Sequence, residues 1–114
     1  MSRKEEEFAA QQQQQEEIRR TPIPRDRQVL GLVEQRVGGS RMKVRCMDGK
    51  LRICRIPGRL KRSLWVRDGD IILVEPWEMG GDEKGDVLFK YRPMQVEFLR
   101  RRGLLKELES VEEF

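Results

Sequence analysis

The dipeptide Asp48-Gly49, set between two short runs of alternating residues, constrains this chain more than any other feature. Residues 41–47 and 50–56 read as strands joined by a two-residue turn, because a type I′ turn needs positive φ at both central positions and Asp-Gly supplies it. In that register Cys46 faces Leu51, Arg45 faces Arg52, Val44 faces Ile53 and Lys43 faces Cys54. Side chains alternate along a strand, so Val44, Cys46, Leu51 and Ile53 share one face. Lys43, Arg45, Lys50 and Arg52 share the other. Near Arg55 the alternation fails, since strict period two points this residue inward; a bulge or an early strand end is expected there. Arg45 opposite Arg52 is locally repulsive. An anionic partner gives a reason to keep such a pair, and a basic strand face suits phosphates. The plain alternative is a solvated face with no partner. The basic run continues through RLKRSLWVR at 59–67, and Asp48 is the single acid between residues 41 and 67.

Charge is unevenly distributed along the 114 residues. Residues 25–102 hold 19 Lys/Arg against 11 Asp/Glu, net +8, between net −1 over 1–24 and net −3 over 103–114, which together give the chain's +4. This pattern points to a nucleic-acid-binding domain with separate ends. Apolar content is 37%, below the roughly 45–50% of ordinary soluble domains, so part of the chain is expected outside the core. Residues 1–24 read as a flexible tail and linker: EEE and QQQQQEE have almost nothing to bury, and Thr21-Pro22-Ile23-Pro24 stays extended. Residues 25–92 form the barrel domain, and 93–114 a helical segment with an acidic end.

Within the domain, residues 28–37 form the first strand, with Gly31 marking a bulge or sharp coil. Residues 59–67 could make one helical turn. Ile71-Ile72-Leu73-Val74 is a continuous apolar run, the mark of a strand buried on both faces. MGGDEKGD is a loop, and residues 87–91 are the fifth strand. Pro93 opens a helix that Gly103 stops. Five short strands with a connector after the third and a flanking helix describe an all-β barrel with a C-terminal helix. A five-stranded OB-fold barrel accounts for the coiled strands; an SH3-like barrel is the alternative.

Catalysis and cofactor chemistry have little support. The chain has no histidine and two cysteines, Cys46 and Cys54, without CxxC spacing, so a zinc site lacks ligands. The hairpin register puts the cysteines on opposite faces, against a disulfide, and Cys46 reads as core. The acids at 68, 70, 82, 83 and 86 match no cation-loop spacing, and no phosphate-cradling motif occurs. No enzyme activity, metal or cofactor is expected. With no signal peptide in MSRKEEEF and no apolar run of membrane-spanning length, a cytoplasmic protein is expected. Trp65 has two open roles: stacking on an unpaired base, or packing beneath the connector. Leu64 and Val66 leave little else to anchor that segment, which favours packing. Trp77 and Tyr91 read as structural.

The string GGSRMKVRCMDGKLRICRIPGRLKRSLWVRDGDIILVEPWE resembles the archaeal translation initiation factor 1A family. The resemblance rests on Cys46-x-Asp48-Gly49, Arg52, Ile56-Pro57-Gly58, Trp65, Gly69-Asp70 and Pro76-Trp77, and covers about residues 25–103. It implies an S1-like OB fold that binds the small ribosomal subunit near the decoding A site; a monomer is expected. There it would contact ribosomal RNA, assist initiator tRNA and start-site selection, and work with other initiation factors. A general single-stranded RNA-binding OB protein or RNA chaperone is the alternative; such binders display several aromatics among their cations. The resemblance supports Arg41, Lys43, Arg45, Arg52, Arg59, Lys61, Arg62 and Arg67 as RNA contacts, and Lys50 joins them from its place on the basic strand face. Replacing Arg45 or Arg52 with Glu is expected to abolish subunit binding and keep the fold. The glutamine run at 11–15 is foreign to the family. Leu104, Leu105, Leu108 and Val111 form an apolar stripe among acids. It is either docked on the barrel or an amphipathic peptide for a partner groove. In eukaryotic relatives the corresponding end binds the subunit-joining GTPase, so an archaeal counterpart is the implied partner.

Overall fold

The computed structural model describes residues 2–109. Five strands, β1 (Val29–Gly38), β2 (Arg41–Cys46), β3 (Leu51–Arg55), β4 (Ile71–Pro76) and β5 (Lys84–Lys90), close into one barrel in the order β1-β2-β3-β5-β4. All neighbouring pairs are antiparallel except β3 with β5. This is the OB-type barrel, with a short 3-10 turn at Gly58–Leu60 in the β3–β4 connector. Closure removes the sheet edges that five short strands would otherwise expose.

The hairpin register differs from the expected one by a single residue. The pairs are Arg45 with Leu51, Val44 with Arg52, Lys43 with Ile53, Met42 with Cys54 and Arg41 with Arg55. The loop has three residues, Met47 to Gly49. Cys46 O accepts from Gly49 N at 3.0 Å, and Cys46 N donates to Lys50 O at 2.9 Å. Gly49 has φ +83°, whereas Asp48 is not among the residues with positive φ. Only the third loop position is left-handed, as in a type I turn followed by a glycine bulge. Asp48 is held there by its own carboxylate, which accepts from Lys50 N at 3.1 Å. A one-residue slip inverts every side chain of a strand. Arg52 and Cys54 therefore point inward, at 2% and 0% exposure, while Leu51 and Ile53 point out. Cys46 and Cys54 lie on the same, inner side, both buried and free. Arg55 faces outward in regular alternation with Cys54 and Ile56, so no bulge is needed at that position.

The irregularities of β1 lie further along, between Val33 and Gln35 and between Arg36 and Gly38. Gly31 is in register with both neighbouring strands. Its role is close packing: a Cβ there would run into Val44 Cγ1.

Two cores explain the apolar run of β4. Ile72 and Val74 face the barrel interior with Val33, Met42, Val44 and Val87. Ile71 and Leu73 face outward beneath α2 (Pro93–Arg101) and α3 (Lys106–Glu109), packed with Leu30, Tyr91, Leu99, Leu105 and Leu108. The strand is buried on both faces because the helices cover its outer one. Leu105 and Leu108 are 1% and 3% exposed, and Leu104 packs against the same cluster. The stripe is thus docked on the barrel rather than presented as a free peptide; its fourth residue, Val111, lies outside the described residues.

Residues 3–19, read from sequence as part of a flexible tail whose Gln and Glu permit helix, form helix α1 (Arg3–Arg19), opened by a Ser2/Glu5 capping box. Its far end is tied to α2. Glu17 O accepts from Thr21 Oγ1 at 2.9 Å and from Gln95 Nε2 at 3.1 Å, and Arg92 pairs with the Glu17 carboxylate at 3.1 Å. Tyr91 OH donates to Pro22 O at 2.6 Å, fixing the segment that follows. The bonds to Glu17 O satisfy one carbonyl that the helix C-terminus leaves open, and that from Gln95 is a tertiary contribution that a polar, glutamine-rich sequence does not announce.

Candidate nucleic-acid interface

The nine cations singled out from sequence separate into three groups. Arg41, Arg59, Lys61, Arg62 and Arg67 are exposed, and Lys43 is half-buried with its side chain outward. Among the described residues no acid forms an ion pair with any of these six, nor with exposed Arg36. Lys50 is exposed but paired with Asp82. Arg45 and Arg52 are internally engaged. The repulsive pair expected between Arg45 and Arg52 does not form, since Arg45 lies opposite Leu51 and Arg52 opposite Val44; the like-charged pair the hairpin does contain is Arg41 with Arg55. Arg55 is partly neutralised by Asp86 at 3.1 Å.

Arg52 is a structural residue in this fold. Nη1 and Nη2 donate to the two Asp48 oxygens at 3.0 and 2.8 Å, and Nε donates to Gly81 O. The planar fork thus joins the β2–β3 turn to the β4–β5 loop. Partial burial disfavours the Asp48 charge, but hydrogen bonds from Arg52 and Lys50 N outweigh it and hold the carboxyl below the usual range. Burial raises the Cys46 thiol above its ordinary value and pushes Cys54 up to about 12. Both are therefore poor nucleophiles at neutral pH. The expectation that Arg52 contacts RNA, and that Glu in its place spares the fold, rests on the two-residue-turn register, which turns Arg52 outward, and on the family resemblance; in the observed register Arg52 points inward. A buried carboxylate beside Asp48 would be repelled and unpartnered.

Trp65 is 72% exposed, not packed beneath the connector. Leu64 and Val66 supply the anchoring expected of it, both packing against the barrel core. With Trp65 turned out, a cleft of about 190 Å³ opens between the β1–β2 turn and the β3–β4 connector. Arg36, Arg41, Lys61 and Trp65 line it. Asp68 accepts from Arg36 N at 3.0 Å, which ties the end of β1 to the turn leading into β4. Arg36 carries no mark in the sequence, since its position in the alternation gives no signal, and only the fold brings it beside Lys61. The arrangement offers an aromatic face with cations around it, able to stack a base and hold adjacent phosphates. Trp77 is different. Arg55 lies 4.9 Å and Lys84 5.4 Å from its ring centre, and its indole N–H donates to Asp86 at 2.9 Å. Its faces are already in use.

Among the described residues no helix is long and apolar enough to cross a membrane. Residues 18–113 match the family described as Translation initiation factor 1A / IF-1. The translation initiation factor 1A of Methanococcus maripaludis strain C5 is 54% identical over 87 residues, which cover 76% of this chain and 84% of the relative. That of Pyrococcus abyssi is 45% identical over 91 residues, covering 80% of each. Among solved structures, a translation initiation factor from the Wolbachia endosymbiont of Brugia malayi is similar over 58% of this chain and 78% of that one, at 24% identity and a TM-score of 0.47. With the match spanning the whole barrel and both C-terminal helices, the chain belongs to the translation initiation factor 1A / IF-1 family.

Proposed function

We propose that this chain binds the small ribosomal subunit near the decoding A site through ribosomal RNA, and there assists initiator tRNA placement and start-site selection. The observation that carries the reading is the exposed ring of Trp65 in a cleft with Arg36, Arg41 and Lys61, none of them paired with an acid among the described residues. Lys43, Arg59 and Arg62 are likewise exposed or half-exposed with no acid paired to them among the described residues, whereas Arg67 lines a separate cavity beside α2 with Asp70 and Glu97. A charged surface of this kind, without compensating acids, is suited to a phosphate backbone and gives steep salt dependence. Arg45, bonded to Leu108 O and beside Glu34, and Arg52, reserved for the barrel, both lie outside the lining of the cleft. The protein acts as a monomer among other initiation factors in this reading. Partnership with the subunit-joining GTPase through the C-terminal stripe requires α3 to leave its seat.

Co-sedimentation with purified small subunits across a salt series tests the proposal. Binding should fall with a log–log slope set by the phosphates neutralised, and Arg41→Glu with Lys61→Glu should reduce that slope by about 2. Competition with free single-stranded RNA separates the reading from that of a general RNA binder. One exposed aromatic among the cations favours a defined site; equal affinity for free RNA and subunits would overturn it.

A further inference from the structure

Arg45 stands at the boundary between two surfaces. Its neighbour on β1 is Leu32, which packs with the outer core under the C-terminal helices. Its neighbour on β3 is exposed Leu51, on the basic face. The side chain is 23% exposed. Nη2 donates to Leu108 O, the carbonyl near the end of α3, at 3.2 Å, and Nε lies 3.5 Å from the Glu34 carboxylate. Nε itself is buried and has no hydrogen-bond partner among the described residues. Nε is thus a buried, unmet donor of Arg45, whereas Nε, Nη1 and Nη2 of Arg52 each have an acceptor.

We propose that Arg45 is a shared ligand: it holds α3 on the barrel in the free protein and transfers to a phosphate when RNA occupies the basic face, loosening α3. This rests on the RNA-binding reading above and goes beyond it by coupling that face to the C-terminal helix. A phosphate offers a guanidinium two acceptors in a matching plane, more than one carbonyl and a long contact to Glu34 provide. Aligning to it turns Nη2 away from Leu108 O, and that carbonyl loses its partner. α3 is four residues long and is seated by Leu105 and Leu108 together with this side-chain bond from β2. So short a helix has little cooperative stability of its own. Its opening frequency responds to one lost bond, and each opening uncovers Leu105 and Leu108 for an apolar partner. Glu34 acts in the opposite direction, since its charge competes with a phosphate for Arg45.

Hydrogen exchange at residues 104–109 tests the coupling, with a transcript of the decoding-site helix of small-subunit ribosomal RNA as probe. In the free protein, Arg45→Met should raise exchange at the Leu108 amide, which donates to Leu105 O, by about tenfold while leaving β1–β5 unchanged. RNA should raise it similarly in the wild type and add nothing in Arg45→Met. Glu34→Gln should tighten RNA binding about threefold and preserve α3 protection without RNA. Unchanged exchange in Arg45→Met overturns the proposal by itself. RNA that binds but leaves α3 protected overturns the coupling and spares the RNA-binding reading. A transcript that does not bind at all removes both.

Discussion

The β2–β3 turn and the Trp65 cleft are both rich in arginine, yet the two regions use charge in opposite ways. At the turn, Arg52 is 2% exposed and meets both Asp48 oxygens and Gly81 O. At the cleft, Arg36, Arg41 and Lys61 have no acid paired with them among the described residues and surround an open indole. Satisfied charge makes the first region a clasp between two loops. Unsatisfied charge leaves the second ready for an anion. In a chain this basic, a count of cations does not locate a binding surface; what does is which cations the fold leaves without an acid.

The strongest way to break the comparison is Arg52→Met. It removes the fork, strands Gly81 O and leaves Asp48 alone. Breaking a buried pair costs several kcal/mol, and Asp48 keeps some access to water, so a loss of about 3 kcal/mol is expected. Thermal denaturation should show Tm lowered by about 12–24 °C. A stable Arg52→Met protein that had lost only RNA binding would move Arg52 into the second region.

The two tryptophans give the next contrast. Trp65→Ala should weaken subunit binding by about 5- to 150-fold, the worth of one base stack at ~1–3 kcal/mol, with Tm nearly unchanged. Trp77→Leu should do the reverse: about 1–2 kcal/mol of stability lost with the two cation contacts and the Asp86 bond, and subunit binding near wild type. Measuring both quantities on both variants decides which ring faces RNA.

The smallest effect is a titration. Hydrogen bonding holds the Asp48 carboxyl below its unfolded value. A depressed carboxylate contributes stability above the unfolded value of about 3.9, which is lost as pH falls through the folded one. The wild type should therefore lose stability below about pH 4 faster than Asp48→Asn, which starts less stable at neutral pH. Parallel acid-denaturation curves would show that the clasp does not titrate.

Several elements could be read directly from residue order. The both-face burial of β4 followed from Ile71-Ile72-Leu73-Val74, the start of α2 from Pro93, and the five-strand count from the spacing of turns. The hairpin register did not, although its clue was present. The apparent failure of alternation at Arg55 disappears once β3 slips by one residue, because Asp48-Gly49 sits in a three-residue loop rather than a two-residue turn. Asp-Gly fits both that turn and a three-residue loop. The choice is made by Arg52 and Lys50 N, which hold the Asp48 carboxylate in place, and by the barrel, which buries Cys54.

Local patterns thus determined that this chain forms a small five-stranded barrel with a basic middle, because strand period, turn residues and charge are properties of neighbours in sequence. Tertiary structure decided which arginine is buried, which tryptophan is open, that residues 3–19 end against α2, and that Arg36 and Lys61 share a cleft. Several of these depend on a partner far along the chain: Gly81 for Arg52, Gln95 for Glu17, Leu108 for Arg45. A burial or a hydrogen bond made across such separations exists only once the barrel has closed.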